Sequence, residues 1–337
     1  MSLSFKNKVR FTVWGLLFLC TIFVLATLEL DLRREHSELI AGYGKKGTGL
    51  CIQADNDPDL MYSFKPNKCG ANSKGYFDAE HSVKKEQGVF RIVIIGDSIA
   101  QGQGVKLKES FGKILETKLN SAQKEKKYEV IILARSGYST SQELVLLGKE
   151  AFQYAPDLIL WSYCLNDPAH PVYHDANGGI GNLFYKPASY LFESWARKWF
   201  FFKENNRRKR CCQNEFHEFL HCVYWDEVVE NLSRIGKITR AHHVPVIFLI
   251  HPVFEKGKSF SSYSLTDLHH KLAAAAENQN LLTLDLLYPY SKYDPEELRQ
   301  HPKGQYDPWH PNEKGHRVAA EFLYNYVFNS KFFKERS

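Results

Sequence analysis

No C-x-x-C pair occurs among the seven cysteines of this 337-residue chain, which removes the usual ligand spacing of a structural zinc site. No internal repeat is visible either, and that excludes solenoid and propeller architectures. A large excess of charge of one sign is also lacking. Lys and Arg number 44 against 38 Asp and Glu, and the formal net charge of +6 comes partly from local clusters. A nucleic-acid partner needs a basic face that this distribution does not supply, whereas a membrane surface or an anionic glycan fits it better. At this length the chain can bury a sizeable core, so disulfides are not its main source of stability.

Long apolar runs are missing, with one exception. Residues 11–28, "FTVWGLLFLCTIFVLATL", carry no charge and follow Lys6, Lys8 and Arg10. About 18 residues just reach across a bilayer core, and the basic flank favours a cytoplasmic start, although Arg33 and Arg34 on the far side pull the other way. The expected organisation is a cytoplasmic basic tail at 1–10, a transmembrane anchor at 11–28, and a stalk or packed N-terminal extension at 29–88. A signal peptide cleaved near Val24 and Ala26 is the alternative, and a buried core helix a further one. Anchor and signal peptide both send the remainder across the membrane. Beyond the run lie Cys51, Cys69, Cys164, Cys211, Cys212 and Cys222, an even number suited to an oxidising compartment. Cys51 with Cys69, and Cys222 with Cys211 or Cys212, are the local pairings to test, with free thiols as the alternative.

From residue 90 the pattern alternates. Short apolar strands are expected at 91–95, 129–135, 156–163, 244–252 and 280–287, and helices at 110–120, 141–154, 225–242, 265–278 and 313–328. Strands of this kind separated by helices imply a parallel sheet covered on both faces, with ligands beyond the carboxyl ends of the strands. One interval, 168–224, breaks the rhythm and reads as an insertion. Within it "RKWFFFKENNRRKR", residues 197–210, combines an aromatic cluster with seven basic side chains and one acidic one. Such a segment sits at a lipid headgroup surface, grips an acidic polymer, or is a solvated loop after a buried aromatic patch.

The strand ends carry the chemistry. Ser98 follows the first strand in "RIVIIGDSIAQGQGV", Gly137 the second in "ARSGYS", and Asn166 the third in "CLND"; "DPWHPNEKGH", residues 307–316, opens the last helix. A serine hydroxyl is a weak nucleophile and needs a base. His310 can take its proton through one ring nitrogen while Asp307, three residues earlier, orients the ring through the other. The backbone N–H groups of Ser98 and Gly137 and the side-chain amide of Asn166 are available to receive the oxyanion, and a glycine at 137 lets the backbone approach a substrate closely. Asp97 and Asp167 read as turn-capping residues, Asp285 and His251 as structural or substrate-edge residues, and Cys164 as a packed thiol. His170, His174 and Asp175 have ligand-like spacing without a supporting motif, so no metal and no cofactor are expected.

This ordered set resembles the SGNH/GDSL hydrolase superfamily over roughly residues 90–330. "GDSIAQG" with Ser98 matches the first block, Gly137 the second, Asn166 and Asp167 the third, and Asp307 with His310 the last. The third block is usually G-x-N-D; here Cys164 stands where that glycine is expected, which bears on the position of Asn166. The resemblance implies a flavodoxin-like three-layer α/β/α fold with a mainly parallel five-stranded sheet in a domain at 89–330. It also implies a Ser98, His310, Asp307 triad and an oxyanion hole of Ser98, Gly137 and Asn166. The prefix "YSFKPN…NSKGYF" further resembles membrane-anchored bacterial members, often encoded among genes for surface polysaccharides. The expected activity is that of a serine esterase or O-acyltransferase on ester-linked acyl groups, acetyl foremost, of a carbohydrate outside the cytoplasm. The alternatives are a lipid-directed acyl hydrolase, lysophospholipase or thioesterase, and a non-catalytic glycan-binding assembly subunit.

Overall fold

The computed structural model of the protein describes residues 5–45, 47–122, 126–173, 180–211 and 215–328. It opens with α1 (Phe5–Tyr43), among the described residues the one helix long and apolar enough to cross a membrane. The helix does not stop where the apolar run stops but continues through residues 29–43. Leu, Glu and Arg are good helix formers there, and Glu29 pairs with Arg33 at 2.7 Å and Arg34 with Glu38 at 3.0 Å, one turn apart. Two short antiparallel strands follow, β1 (Ile52–Ala54) and β2 (Tyr62–Phe64), beside a Cys51–Cys69 disulfide. Leu60, Tyr62, Phe64 and Tyr76 are buried in the main core, so this extension is packed against the domain.

The central sheet holds β3 (Val89–Gly96), β4 (Lys127–Ala134), β5 (Leu158–Cys164), β6 (Val246–His251) and β7 (Leu282–Asp285), all parallel, in the order β4-β3-β5-β6-β7. Ile92 to Ile95 and Leu158 to Trp161 are fully buried because helices cover both faces, which is why these strands read as continuous apolar runs. The intervening helices are α2 (Ser98–Gln101), α3 (Phe111–Ala122), α4 (Thr140–Lys149), α5 (Ile180–Phe184), α6 (Tyr190–Arg208), α7 (Phe216–Val223), α8 (Trp225–Ala241), α9 (Thr266–Glu277), α10 (Leu287–Tyr290), α11 (Pro295–Leu298) and α12 (Glu313–Leu323). α3 packs on α12 across one face, and α4, α8 and α9 line the other. Chain connections leave β3 and β5 in opposite directions, so a crevice opens beyond their carboxyl ends.

The interval 168–224 is largely helical, holding α5, α6 and α7 with a disulfide from Cys211 to Cys222. Cys212, the other partner considered for Cys222, lies outside the described residues, as do His174 and Asp175.

At the end of β3 the packing leaves no room for a side chain. A Cβ on Gly96 would stand 2.8 Å from the carbonyl oxygen of Ser162 and 2.8 Å from the Cβ of Ala100. Since a β5 backbone atom cannot yield, Gly96→Ala is expected to cost about 1–3 kcal/mol of stability. Denaturant unfolding of the variant checks this, and an unchanged midpoint would contradict the close approach.

Candidate active site

Ser98 sits where β3 gives way to α2. Asp97 precedes it as N-cap, its Oδ1 accepting the Ile99 N–H at 2.9 Å, and Gly102 in the left-handed region closes the helix after a single turn. Ser98 is 7 % exposed, its hydroxyl 2.9 Å from His310 Nε2 and 3.3 Å from Asp97 Oδ2. His310 Nδ1 lies 2.8 Å from Asp307 Oδ2. Asp307 therefore holds the Nδ1–H tautomer and leaves Nε2 free to accept the serine proton.

The turn that carries His310 is clamped from several sides. Asp307 Oδ1 accepts the N–H groups of Trp309 and His310, and the Phe254 N–H donates to the Pro308 carbonyl at 2.7 Å. Gln300 N–H binds the His310 carbonyl at 2.8 Å, and Asn312 caps α12 while its amide reaches the Glu297 and Arg299 carbonyls. Burial pushes Asp307 up, yet the hydrogen bond from His310 and the Trp309 N–H outweigh it, so its carboxyl lies below the ordinary range. Asp307 stays ionised.

Gly137 and Asn166 lie on the two neighbouring strand ends. Ser136 N–H binds Gln101 Oε1 at 2.8 Å, tying the loop after β4 to the turn after Ser98, and Thr140 N–H binds the Asp167 carbonyl, tying it to the loop after β5. Gly137 has φ +80°, and a Cβ there would stand 2.9 Å from Tyr62 Oη. That tyrosine, which the sequence reading did not single out, donates to the Ser136 carbonyl at 2.7 Å. Asn166 is half-buried, with Oδ1 fully buried and unpartnered. Its amide nitrogen has no acceptor among the described residues. Cys164, at the last position of β5, keeps a negative φ, and its N–H donates to Asp167 Oδ2 at 3.2 Å. Nothing in that backbone requires the glycine usual in the family, and burial pushes the thiol well up, which makes it a packing group.

The remaining polar residues mostly serve the fold. His251 bonds Ser162 at 2.8 Å and burial lowers it to about 3, so it is neutral; Asp285 holds His269 at 2.9 Å. His170 Nδ1 accepts the N–H groups of Val172 and Tyr173, and burial takes it to about 4. Among the described residues, no group of three His, Cys, Asp or Glu side chains is arranged to hold a metal ion.

One buried cluster escaped the sequence reading. Glu143 on α4 is fully buried with both carboxyl oxygens unpartnered, near the indole of Trp161, while Asp167 and Asp97 are 1 % exposed. Glu143 shares a face with Leu146 and Leu147, three and four residues on, and an acid on the apolar stripe of a helix is the signal that could have found it. Burial, then repulsion among Glu143, Asp167 and Asp97, pushes both Glu143 and Asp167 well above the ordinary carboxylate range. Their neutral forms are favoured only in the fold. The resulting cost is absent in acid, sets in as pH rises through the ordinary carboxylate range, and grows until the buried groups ionise. Glu143→Gln is therefore expected to raise the thermal midpoint near neutral pH, with a gain that vanishes towards about pH 4. A variant less stable by the same amount at both pH values would contradict the buried neutral acid.

The model of the GDSL-like Lipase/Acylhydrolase family matches residues 94–318, well over half the chain. No curated protein matches. Among solved structures, the acetylxylan esterase of Geobacillus stearothermophilus is 17 % identical with a TM-score of 0.46, covering 71 % of this chain and 94 % of its own. The acetyl xylan esterase AlAXEase is 13 % identical with a TM-score of 0.45, covering 71 % of this chain and 100 % of its own. An alpha/beta hydrolase enzyme from the metagenome of Lake Arreo, Spain, is 18 % identical with a TM-score of 0.44, covering 72 % and 97 %. From the family match, the chain belongs to the GDSL-like lipase and acylhydrolase family and is a serine ester hydrolase.

Proposed function

We propose that Ser98, His310 and Asp307 are the catalytic triad, and that the enzyme cleaves ester-linked acyl groups, acetyl foremost, from a carbohydrate outside the cytoplasm. The observation that carries the triad is the continuous hydrogen-bonded line from Asp307 through His310 to the Ser98 hydroxyl, at 2.8 and 2.9 Å. His310 Nε2 takes the Ser98 proton as Oγ attacks the acyl carbon. The carbonyl oxygen becomes an oxyanion, received by the N–H groups of Ser98 and Gly137 and the Asn166 amide. Collapse breaks the ester bond, His310 protonates the departing sugar hydroxyl, and an acyl-serine remains. Water, deprotonated by the same nitrogen, then releases the acid; a sugar hydroxyl in its place would make the second step a transfer.

Carbohydrate is favoured by the groups around the serine. The exposed Gln103 on the turn after it, Ser136 beside Gly137 and the half-buried Trp309 offer an amide, a hydroxyl and an aromatic surface. These bond to sugar hydroxyls and stack on sugar rings better than they line an acyl-chain tunnel. The extracytoplasmic reading is supported by the basic residues before the apolar part of α1 and by two disulfides, Cys51–Cys69 and Cys211–Cys222.

Ser98→Ala and His310→Ala are expected each to lower kcat by about 10,000-fold or more with the fold intact, the double variant being little worse and Asp307→Asn retaining more. Acid release from a panel of acetylated sugars and acyl lipids reads this; turnover by Ser98→Ala sinks the triad, and lipids as the better substrates sink the carbohydrate reading. Asn166→Ala should lower kcat by roughly 100 to 1,000-fold with little change in KM, since its bond strengthens in the transition state. A kinetically silent Asn166→Ala would leave the triad standing and remove the third donor.

A further inference from the structure

The face of α6 that points away from the protein is aromatic. Phe192, Trp195, Trp199 and Phe202 are 58 to 73 % exposed, and their spacing of three and four residues puts them on one stripe at about 100° per residue. Lys198 and Lys203 flank the stripe, with the Lys203 ammonium 5.2 Å from the Trp199 ring centroid, and Lys209 and Arg210 follow at its end, while Arg207 pairs with Glu227 at 3.4 Å and Arg208 lies over the Phe219 ring. The opposite face is already engaged. Phe200 stacks near Tyr173 and His170, at 4.6 and 4.9 Å between ring centroids, and Glu193 accepts the Tyr173 hydroxyl at 2.6 Å. The outward stripe is thus not waiting for this chain's own core.

What lies next to it identifies the occupant. Glu29 is the first residue past the apolar run of α1, and its carboxylate accepts the Ser189 hydroxyl and the N–H groups of Tyr190 and Leu191, at 3.0, 3.1 and 2.9 Å. Arg33 donates to the Ala188 carbonyl at 2.7 Å and lies over the Tyr190 ring. The first turn of α6 is therefore fixed to α1 at the point where the apolar segment ends. We propose that α6 is an interfacial helix lying in the headgroup layer of the membrane that α1 spans, its aromatic stripe in the acyl boundary and its basic residues on anionic lipid phosphates.

This reading rests on α1 being a retained membrane span, and the test separates the two. The full chain is placed in nanodiscs of phosphatidylethanolamine and phosphatidylglycerol, one chain per disc, with and without bromine on shallow acyl positions. The emission lost in Trp195→Phe/Trp199→Phe isolates those two indoles from the indole within the span. It is expected to fall at least about twofold in brominated discs, while turnover of a soluble acetyl ester is unchanged. Phe192→Ser/Phe202→Ser keeps both indoles, weakens the apolar face, and should relieve the quenching; it reads the same contact if the tryptophan variant does not fold. Equal emission from brominated and plain discs overturns the proposal, and so does quenching unaffected by the serine pair. A stripe unquenched in single-chain discs but cross-linked between chains in crowded liposomes belongs to a second copy, which also overturns it. A chain released from discs without detergent shows that α1 is no retained span, and the proposal falls with that premise while the triad is untouched.

Discussion

A single hydrogen bond joins residues 212 positions apart, the Ser98 hydroxyl to His310 Nε2, and the site depends on the sheet that makes it possible. β3 must end beside β5 closely enough that only glycine fits at 96, and the turn before α12 must be held rigidly over that end. The backbone bonds of Phe254, Gln300 and Asn312 hold it, so the loops of two other segments help to position the histidine. In the proposed mechanism, preorganisation of this kind would let a weak nucleophile meet its base without reordering at the moment of reaction.

The N-terminal extension has a structural share in the same site. Tyr62 bonds the Ser136 carbonyl and accepts the Tyr138 hydroxyl on its own carbonyl at 2.5 Å, while the buried Arg135 guanidinium reaches Asp55, Tyr138 and Tyr76. A charged side chain buried this deeply is tolerable because each of these partners answers it. The loop that carries Gly137 is consequently held from outside the segment that the family model covers, and the extension is part of how the loop keeps its shape.

Opposite pressures act on the carboxylates near the serine. Asp307 accepts three hydrogen bonds, one of them from the imidazole, and its carboxyl lies below the ordinary range; Glu143 and Asp167 are deeper, lack such donors on several oxygens, and lie well above it. The hydrogen-bond donors around Asp307 favour its charged form, while burial without such donors favours the neutral forms of Glu143 and Asp167.

The order of strands and helices was legible because buried parallel strands leave continuous apolar runs and their helices leave a 3.6-residue period. The pieces "GDSIAQG", "SGY", "CLND" and "DPWH" were legible as strand-end loops for the same reason. The helices of 168–224 were not. α6 turns aromatic residues outward, so its stripe does not mark a core face, and the dense basic residues leave a lipid surface, an acidic polymer and a solvated loop all open. Glu143 interrupts the apolar stripe of α4, a signal present in the sequence, but only the fold shows that both its oxygens lack a partner. The partner of Cys222 stayed open between two adjacent cysteines, and the fold supplied Cys211. By itself the sequence determined the strand and helix periods, the apolar N-terminal segment and the residue types available at each strand end, all of which are local properties of the chain. Only the tertiary structure decided which of those residues meet, because the distance between Ser98 and His310, or between Glu29 and α6, depends on sheet order and packing among segments far apart in sequence.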